Sequence, residues 1–192
     1  AAEYRRAFDK DWAKYYLLYA GRHWDGRQPE WMATPVVNMV WSVIQTIVPI
    51  LTDNRPQIMV VPRKDEDEET ANVLTNIVDW LWDRNNMDII LPKVMLNTLI
   101  FGNGFVKILW DPQAADGKGD IKIIPVDPVH IFVSPHARTL EEAEYIIHAE
   151  NLPRDMVRRM FPNLAQETEG TQEPQLTIRR DITSQAQPSG RL

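Results

Sequence analysis

The residues best suited to metal binding or proton transfer are the four histidines, His23, His130, His136 and His148. Asp127 lies close in sequence to His130 and His136, so these three side chains could together hold a metal ion. No spacing among them puts two ligands on one helical face, and His130 lies in a run that alternates as a strand does. The pattern favours structural histidines and predicts neither a metal site nor a cofactor.

Two further stretches have the composition of an ion site. Gly102-Asn103-Gly104 follows a predicted helix and precedes a predicted strand, whereas a phosphate-binding glycine loop runs from strand to helix. These glycines therefore predict a helix end and a tight turn. The acidic run Lys64–Glu69 lacks the spacing and the glycine of a calcium-binding loop, and is interpreted as the solvated start of a helix.

Nucleophilic catalysis has no support in the sequence. The chain has no cysteine, and its serines, Ser42, Ser134, Ser184 and Ser189, lie in no G-x-S-x-G motif or triad context. We therefore predict that the protein is not an enzyme.

The charge balance disfavours non-specific binding to nucleic acid, because the chain has 21 Lys and Arg but 27 Asp and Glu, which gives a net charge of −6. Arg154–Arg159 and Arg179-Arg180 form two small basic patches, which are either ordinary exposed charges or a local contact with nucleic acid or a partner. A small nucleic-acid-binding or assembly adaptor module is therefore the alternative function.

No uncharged apolar run reaches the ~18 residues that a membrane span requires, and Ile89–Phe101 carries Lys93. The chain starts without Met or an apolar signal region and ends in the polar stretch Gly170–Leu192. We expect either a piece of a longer polypeptide or, for the first feature, a processed N-terminus.

Hydrophobic periodicity predicts an aromatic helix over Tyr4–Tyr19, then a loop over Gly21–Pro35 that contains Trp24 and Trp31. These two tryptophans should cover either the domain core, which we favour, or a neighbouring subunit. Asn38 is a candidate N-cap for a largely buried helix, Met39–Leu51, which should kink or end near Pro49. A short strand, Gln57–Val61, and a helix, Ala71–Arg84, should follow.

The central stretch Leu91–Pro135 carries the predicted core. A buried helix, Asp88–Phe101, should end at Gly102–Gly104. It should be followed by an antiparallel ribbon of two strands, Phe105–Trp110 and Ile121–Val126. The remaining predicted elements are an apolar run, Val129–Val133, a helical turn at the capping box Thr139–Glu142, a strand, Tyr145–Ala149, and a helix that ends at Phe161 before Pro162.

These elements predict an α+β fold in which several helices pack on a small antiparallel sheet, with an extended polar C-terminal segment. The expected division is an N-terminal aromatic helix and loop (1–37), an α+β domain (38–165) and a polar linker or arm (166–192).

The ordered set of features resembles the N-terminal part of a portal protein, the head-to-tail connector of tailed bacteriophages. The resemblance covers roughly Tyr15–Pro162. Its parts are Asn38 leading a helix into Asn54-Arg55-Pro56, the step LIFGNG at Leu99–Gly104 into a strand, and the step PVDP at Pro125–Pro128.

The resemblance implies a portal-wing-like domain of a virion protein that is assembled in the host cytoplasm. It further implies a homo-oligomeric ring at a capsid vertex, with capsid, terminase and tail or adaptor proteins as partners. DNA would pass through the ring without sequence recognition, and no membrane is involved. The parent protein should form a closed ring, and this chain alone should be monomeric or weakly associated. The candidate subunit-interface residues are Trp12, Tyr16, Trp24, Trp31, Arg158 and Arg159.

Overall fold

The computed structural model describes residues 2–24, 29, 31–64, 67–137, 139–150 and 152–161. These residues form helices and two antiparallel sheets of two strands each, which confirms the predicted α+β class. The polar segment 166–192, Arg179-Arg180 and Pro162 lie outside the described residues. Among the described helices, none has both the length and the apolar character needed to cross a membrane.

Most elements follow one another in the predicted order with small shifts at their ends, but the short helix Ala114–Gly117 lies in a stretch for which no helix is predicted. The helices are α1 (Ala2–Tyr19), α2 (Met39–Thr52), α3 (Glu68–Arg84), α4 (Met87–Phe101), the short α5 (Ala114–Gly117) and α6 (Arg154–Met160), and the strands are β1 (Phe105–Asp111), β2 (Asp120–Val126), β3 (Ile131–Val133) and β4 (Ile146–His148).

The chain divides into two compact units, which we describe separately. One consists of residues 18–128, here called the central unit, and the other combines residues 1–17 with residues 129–192, here called the terminal unit. The boundaries expected at residues 37 and 165 stay predictions.

Helix α4 is the centre of the central unit, where it packs against α2, α3 and β2. It begins after Asn86 and ends at Gly102, both of which adopt the left-handed conformation, with φ of 53° and 80°. The left-handed Gly102 stops the helix sharply, because its N–H turns back onto the Thr98 carbonyl at 2.8 Å. The buried side chains of this unit are Ile44, Val48, Ala71, Trp82, Ile90, Val94, Ile100, Phe101, Val126 and Pro128.

Strands β1 and β2 pair along their whole length, from Phe105 opposite Val126 to Asp111 opposite Asp120. The ribbon predicted at this place is therefore confirmed. Asn85, at the end of α3, ties the outer side of β2 to the helix: its amide donates to the Ile121 carbonyl at 3.1 Å and accepts from the Ile123 N–H at 3.0 Å.

Three local expectations are wrong. Helix α2 has the predicted N-cap, because the Asn38 side chain accepts from the Trp41 N–H at 3.0 Å, but only Ile44 and Val48 are buried on it, since α4 covers one side alone. The stretch 57–61 forms no strand, because no described strand lies beside it. Thr139 accepts from the Glu142 N–H at 3.4 Å, but this bond closes a turn and not a helix.

The terminal unit packs α1 against the start of the sheet formed by β3 and β4. Trp12, Val129 and Ser134 are buried in it, and Ile131 pairs with His148 at the end of the antiparallel ladder. Arg5 is also buried, with only 7% of its surface exposed. Its guanidinium donates hydrogen bonds to the carbonyl oxygens of Val129 and Ile131.

Candidate assembly surface

The central unit exposes many large apolar side chains. Because α2 is apolar around most of its circumference and is covered on one side, the remaining sides face solvent. Helix α3 adds a stripe at steps of four and three residues, formed by Val73, Ile77 and Trp80, while its opposite side buries Ala71 and Trp82. The exposed apolar residues of α2 are Met39, Val40, Trp41, Val43, Ile50 and Leu51.

The segment between α2 and α3 lies along α3 and is held there by polar contacts. Arg55 forms ion pairs of 3.0 Å with both Asp79 and Asp83. Further along, the Val60 N–H donates to the Thr75 hydroxyl at 3.1 Å. The apolar residues of this segment remain in solvent: Met59 is 74% exposed and Val61 75% exposed. We call residues 57–61 the strap.

The ribbon has an apolar face as well. Along β1, Val106, Ile108 and Trp110 are exposed and alternate with half-buried residues. Ile108 is 69% exposed and Trp110 62% exposed. The Trp110 ring lies against the backbone of Gly119, where a β-carbon would collide with it. We call Val106, Ile108 and Trp110 the β1 edge residues, and we use the term apolar surface for these residues and the exposed apolar residues of α2, the strap and α3 taken together.

The candidate interface residues of the sequence lie outside this apolar surface. In the terminal unit, Trp12 is buried against the Arg5 guanidinium, whose central carbon is 4.6 Å from the ring centroid. Tyr16 is half-buried. Arg158 and Arg159 are exposed on α6, and Arg158 lies 4.0 Å from Asp155. A subunit-contact role for these residues stays a prediction.

Trp24 and Trp31 are both exposed, Trp31 to 85%. The predicted role as cover for the core is therefore wrong for Trp31 within the described part of the chain, whereas Trp24, which is 42% exposed, is partly covered. Contact with a neighbouring subunit remains open for both.

Sequence reasoning missed a basic stripe on α1. Arg6, Lys10 and Lys14 follow at steps of four residues and are exposed. Tyr4, Phe8 and Tyr15 are also exposed on the same helix, at another side of its circumference. The step of four could have been read from the sequence, but the aromatic pattern dominated the interpretation of this helix.

The described residues contain no cluster suited to metal chemistry: no group of three or more His, Cys, Asp or Glu lies close enough to hold an ion. The rings of His130 and His148 lie 6.5 Å apart. The pKa of Asp111 is lowered below 3.8, chiefly by the hydrogen bond from Lys122 at 2.7 Å and then by the Gln113 N–H. This exposed ion pair joins neighbouring strands and explains the shift without a reactive site.

The protein has an α+β fold, and several elements of its central unit expose large apolar side chains. A family model of the Phage P22-like portal protein matches residues 1–184, and the chain belongs to this family of phage portal proteins. The resemblance seen in the sequence is thereby confirmed. No curated protein matches the chain. The family is structural, and its membership makes the protein a virion component of a bacteriophage.

Proposed function

We propose that this chain is a structural subunit of a portal ring at the capsid vertex. The ring forms part of the conduit for DNA packaging and ejection and a docking platform for the packaging motor and the tail. The observation that carries the proposal is the apolar surface of the central unit, in a chain that belongs to the portal family.

Exposed apolar side chains on several neighbouring segments of the chain favour a protein partner. Soluble monomers rarely expose contiguous apolar patches of more than a few hundred Å². Here three successive elements, α2, the strap and α3, each expose large apolar side chains. A partner of the same chain would cover them in every copy at once, which fits an assembly of identical subunits.

The charge of the chain fits a conduit that does not hold DNA. A channel in which DNA slides has to avoid strong phosphate contacts, because each neutralised phosphate adds affinity. With a net charge of −6, the chain repels a phosphate backbone on the whole. Capsid, terminase and tail or adaptor proteins would use the surfaces that the neighbouring subunits leave uncovered.

Charge reversal on the α3 stripe tests the proposal. We expect the wild-type chain to associate weakly and reversibly with rising micromolar concentration, with closed rings as the largest species. Ile77→Asp should remain monomeric at every concentration, because an aspartate in an apolar contact is desolvated without a partner. Asn76→Asp is the matched control, since it adds the same charge at the exposed neighbouring position and should associate as the wild type does.

Sedimentation velocity gives the masses, negative-stain electron microscopy shows the ring, and circular dichroism verifies that the variants are folded. A tight two-fold dimer, or equal association of the Ile77→Asp variant and wild type, would count against the proposal.

A further inference from the structure

We infer that the strap of one copy adds as a third strand to the β1–β2 ribbon of the neighbouring copy. This inference rests on the proposed ring and names the contact that builds it. Both halves of the contact have backbone hydrogen-bonding groups that lack a strand partner within the described chain.

The first half is the free side of β1. Pro125 lies opposite Val106 and has no N–H, so this pair cannot exchange two hydrogen bonds. Antiparallel pairs alternate, so Ile108 opposite Ile123 and Trp110 opposite Ile121 are also pairs without mutual hydrogen bonds. The backbone groups of Ile121 and Ile123 point outward to Asn85, as this alternation requires.

It follows that the N–H and C=O groups of the three β1 edge residues point away from β2. Among the described residues, no backbone or side-chain group bonds to them. A sheet edge in this state is a template for another strand. Natural edges are usually blocked by proline, by a charge that faces solvent or by a covering element. Here Lys107 of the edge strand is half-buried, and the exposed side chains are those of Val106, Ile108 and Trp110.

The second half is the strap. It has the composition of a strand, Gln-Ile-Met-Val-Val, and runs without a turn between Pro56 and Pro62. The Val60 N–H faces α3, where it bonds to Thr75. Because backbone groups alternate along an extended chain, those of Met59 and Val61 point to the side away from α3. In the described part of the chain, no group bonds to them there.

The β1 edge and the strap match in length and in their lack of proline. The β1 edge from Val106 to Trp110 spans five residues, and the strap has five residues between its two prolines. The strap has no charged residue, and neither half contains a proline. In an antiparallel pairing that is centred on both, Met59 lies directly opposite Ile108, because the outward backbone groups of the two residues then exchange hydrogen bonds.

A second copy is the occupant that satisfies both halves together. Within one chain the ribbon has only β1 and β2 among the described strands, so the strap is not its third strand there. A foreign partner on the β1 edge would leave the strap without a partner. Pairing of the strap with β1 joins two different surfaces, so each copy offers one of each, and such a contact propagates around a ring.

Disulfide trapping tests this pairing, because the native chain has no cysteine. Met59→Cys and Ile108→Cys each introduce one thiol at a highly exposed position. Residues opposite one another in an antiparallel sheet have α-carbons about 4.5–5.5 Å apart, within the range that a disulfide spans. An equimolar mixture of the two variants under mild oxidation should give a covalent dimer on a non-reducing gel. Each variant alone should give none.

Ile58→Cys, mixed with Ile108→Cys, is the matched control. It moves the thiol by one residue and therefore to the other face of the strand, so the covalent dimer should be lost. The variant that carries both Met59→Cys and Ile108→Cys should give a ladder of covalent oligomers. An intramolecular disulfide in that variant would overturn the inference, and so would a dimer from either single variant alone, since this would show a two-fold contact.

Sedimentation of the same samples separates the two proposals. Reversible association into rings without a Met59–Ile108 cross-link would overturn the strap pairing and leave the portal-ring function standing. If the chain shows neither association nor cross-link, the strap pairing is overturned, whereas the portal-ring function stands, because it allows this chain alone to be monomeric. A cross-link that Ile77→Asp does not weaken would still support the pairing, and would assign the α3 stripe to a different contact.

Discussion

The guanidinium of Arg5 donates a hydrogen bond of 2.6 Å to the carbonyl oxygen of Val129, a residue 124 positions later in the chain. A second branch donates to the Ile131 carbonyl, and Nε forms an ion pair of 3.0 Å with Asp9. The Trp12 and Phe132 rings lie 4.6 and 4.5 Å from the guanidinium carbon. One buried cation therefore joins α1 to the start of β3.

Replacement of Arg5 by alanine should destabilise the protein by about 3–5 kcal/mol, the usual effect of removing one partner from a buried ionic cluster. The variant leaves Asp9 and two carbonyl groups without their donor. Urea unfolding measures the change. Arg6→Ala is the control, because Arg6 is exposed on the same helix and should change stability by less than about 0.5 kcal/mol. Equal stability of the two variants would refute the role of Arg5 in joining α1 to the start of β3.

Asn85 should be the residue that attaches α3 to the ribbon. Its side chain bonds to Leu81, Ile121 and Ile123 at 3.0–3.1 Å. Asn85→Ala leaves these backbone groups without a side-chain partner and should destabilise the protein by about 1–3 kcal/mol. Asn86→Gly should be neutral or slightly stabilising, because Asn86 has φ of 53°, which glycine adopts without strain. Thermal unfolding of both variants makes the comparison.

The two glycines between α4 and β1 should respond differently to substitution. Gly102 has φ of +80° and open space around it, so Gly102→Asn should be tolerated within about 1 kcal/mol. A β-carbon at Gly104 would lie 2.9 Å from the Val94 carbonyl oxygen and would collide with the Thr98 side chain. Gly104→Ala should therefore cost about 1–3 kcal/mol in a urea melt. Equal tolerance at both sites would contradict the close approach of this segment to α4.

The Asp111–Lys122 pair should contribute to stability only when the carboxyl group is ionised. Folding lowers the pKa of Asp111 below 3.8, so the contribution is present above this pH and is lost as the pH falls through the folded-state pKa. Asp111→Asn should remove a small part of the acid sensitivity of the protein. Urea midpoints of variant and wild type across an acidic pH series would show this; the difference between the two should shrink towards low pH.

DNA binding should be weak and independent of sequence at physiological salt, because acidic residues outnumber basic ones. Changing Arg158 and Arg159 to alanine should alter it little. The measurement is fluorescence anisotropy with a labelled duplex and a labelled single strand across a salt series. The triple variant Arg6→Ala, Lys10→Ala and Lys14→Ala tests the basic stripe of α1 in the same way.

Tight DNA binding that collapses in either set of variants would favour the alternative, a small nucleic-acid-binding module. The steepness of the salt dependence would then give the number of phosphates contacted, at roughly 0.9 per phosphate for a duplex.

Local signals in the sequence were sufficient for most of the fold. Helical periodicity, the Asn38 cap and the glycine break before Phe105 predict α1 to α4 and the ribbon, because they depend on neighbouring residues. Burial was harder to predict. The apolar circumference of α2 looks like that of a core helix, yet most of it faces solvent. Hydropathy cannot tell a core face from a face that a partner covers.

Non-local pairing explains the other differences. The strap has the amino-acid composition of a β-strand. A strand also requires a neighbouring strand to pair with, and in the described structure no strand of the same chain pairs with the strap. For Arg5, non-local contacts cause burial that the local sequence does not indicate. An arginine in a helical pattern is read as a surface residue, whereas here carbonyl groups more than 120 positions away draw it into the interior.

The terminal unit is built from both ends of the sequence, since α1 contacts a sheet that begins at Ile131. During synthesis on the ribosome, α1 therefore emerges long before the residues that cover Arg5 and Trp12. The central unit is continuous from residue 18 to residue 128 and can fold before the residues that pack on α1 have been synthesised. Nascent chains that end before about residue 131 should expose Trp12 to quenchers and α1 to proteases. We expect chaperones to bind α1 until β3 has been translated.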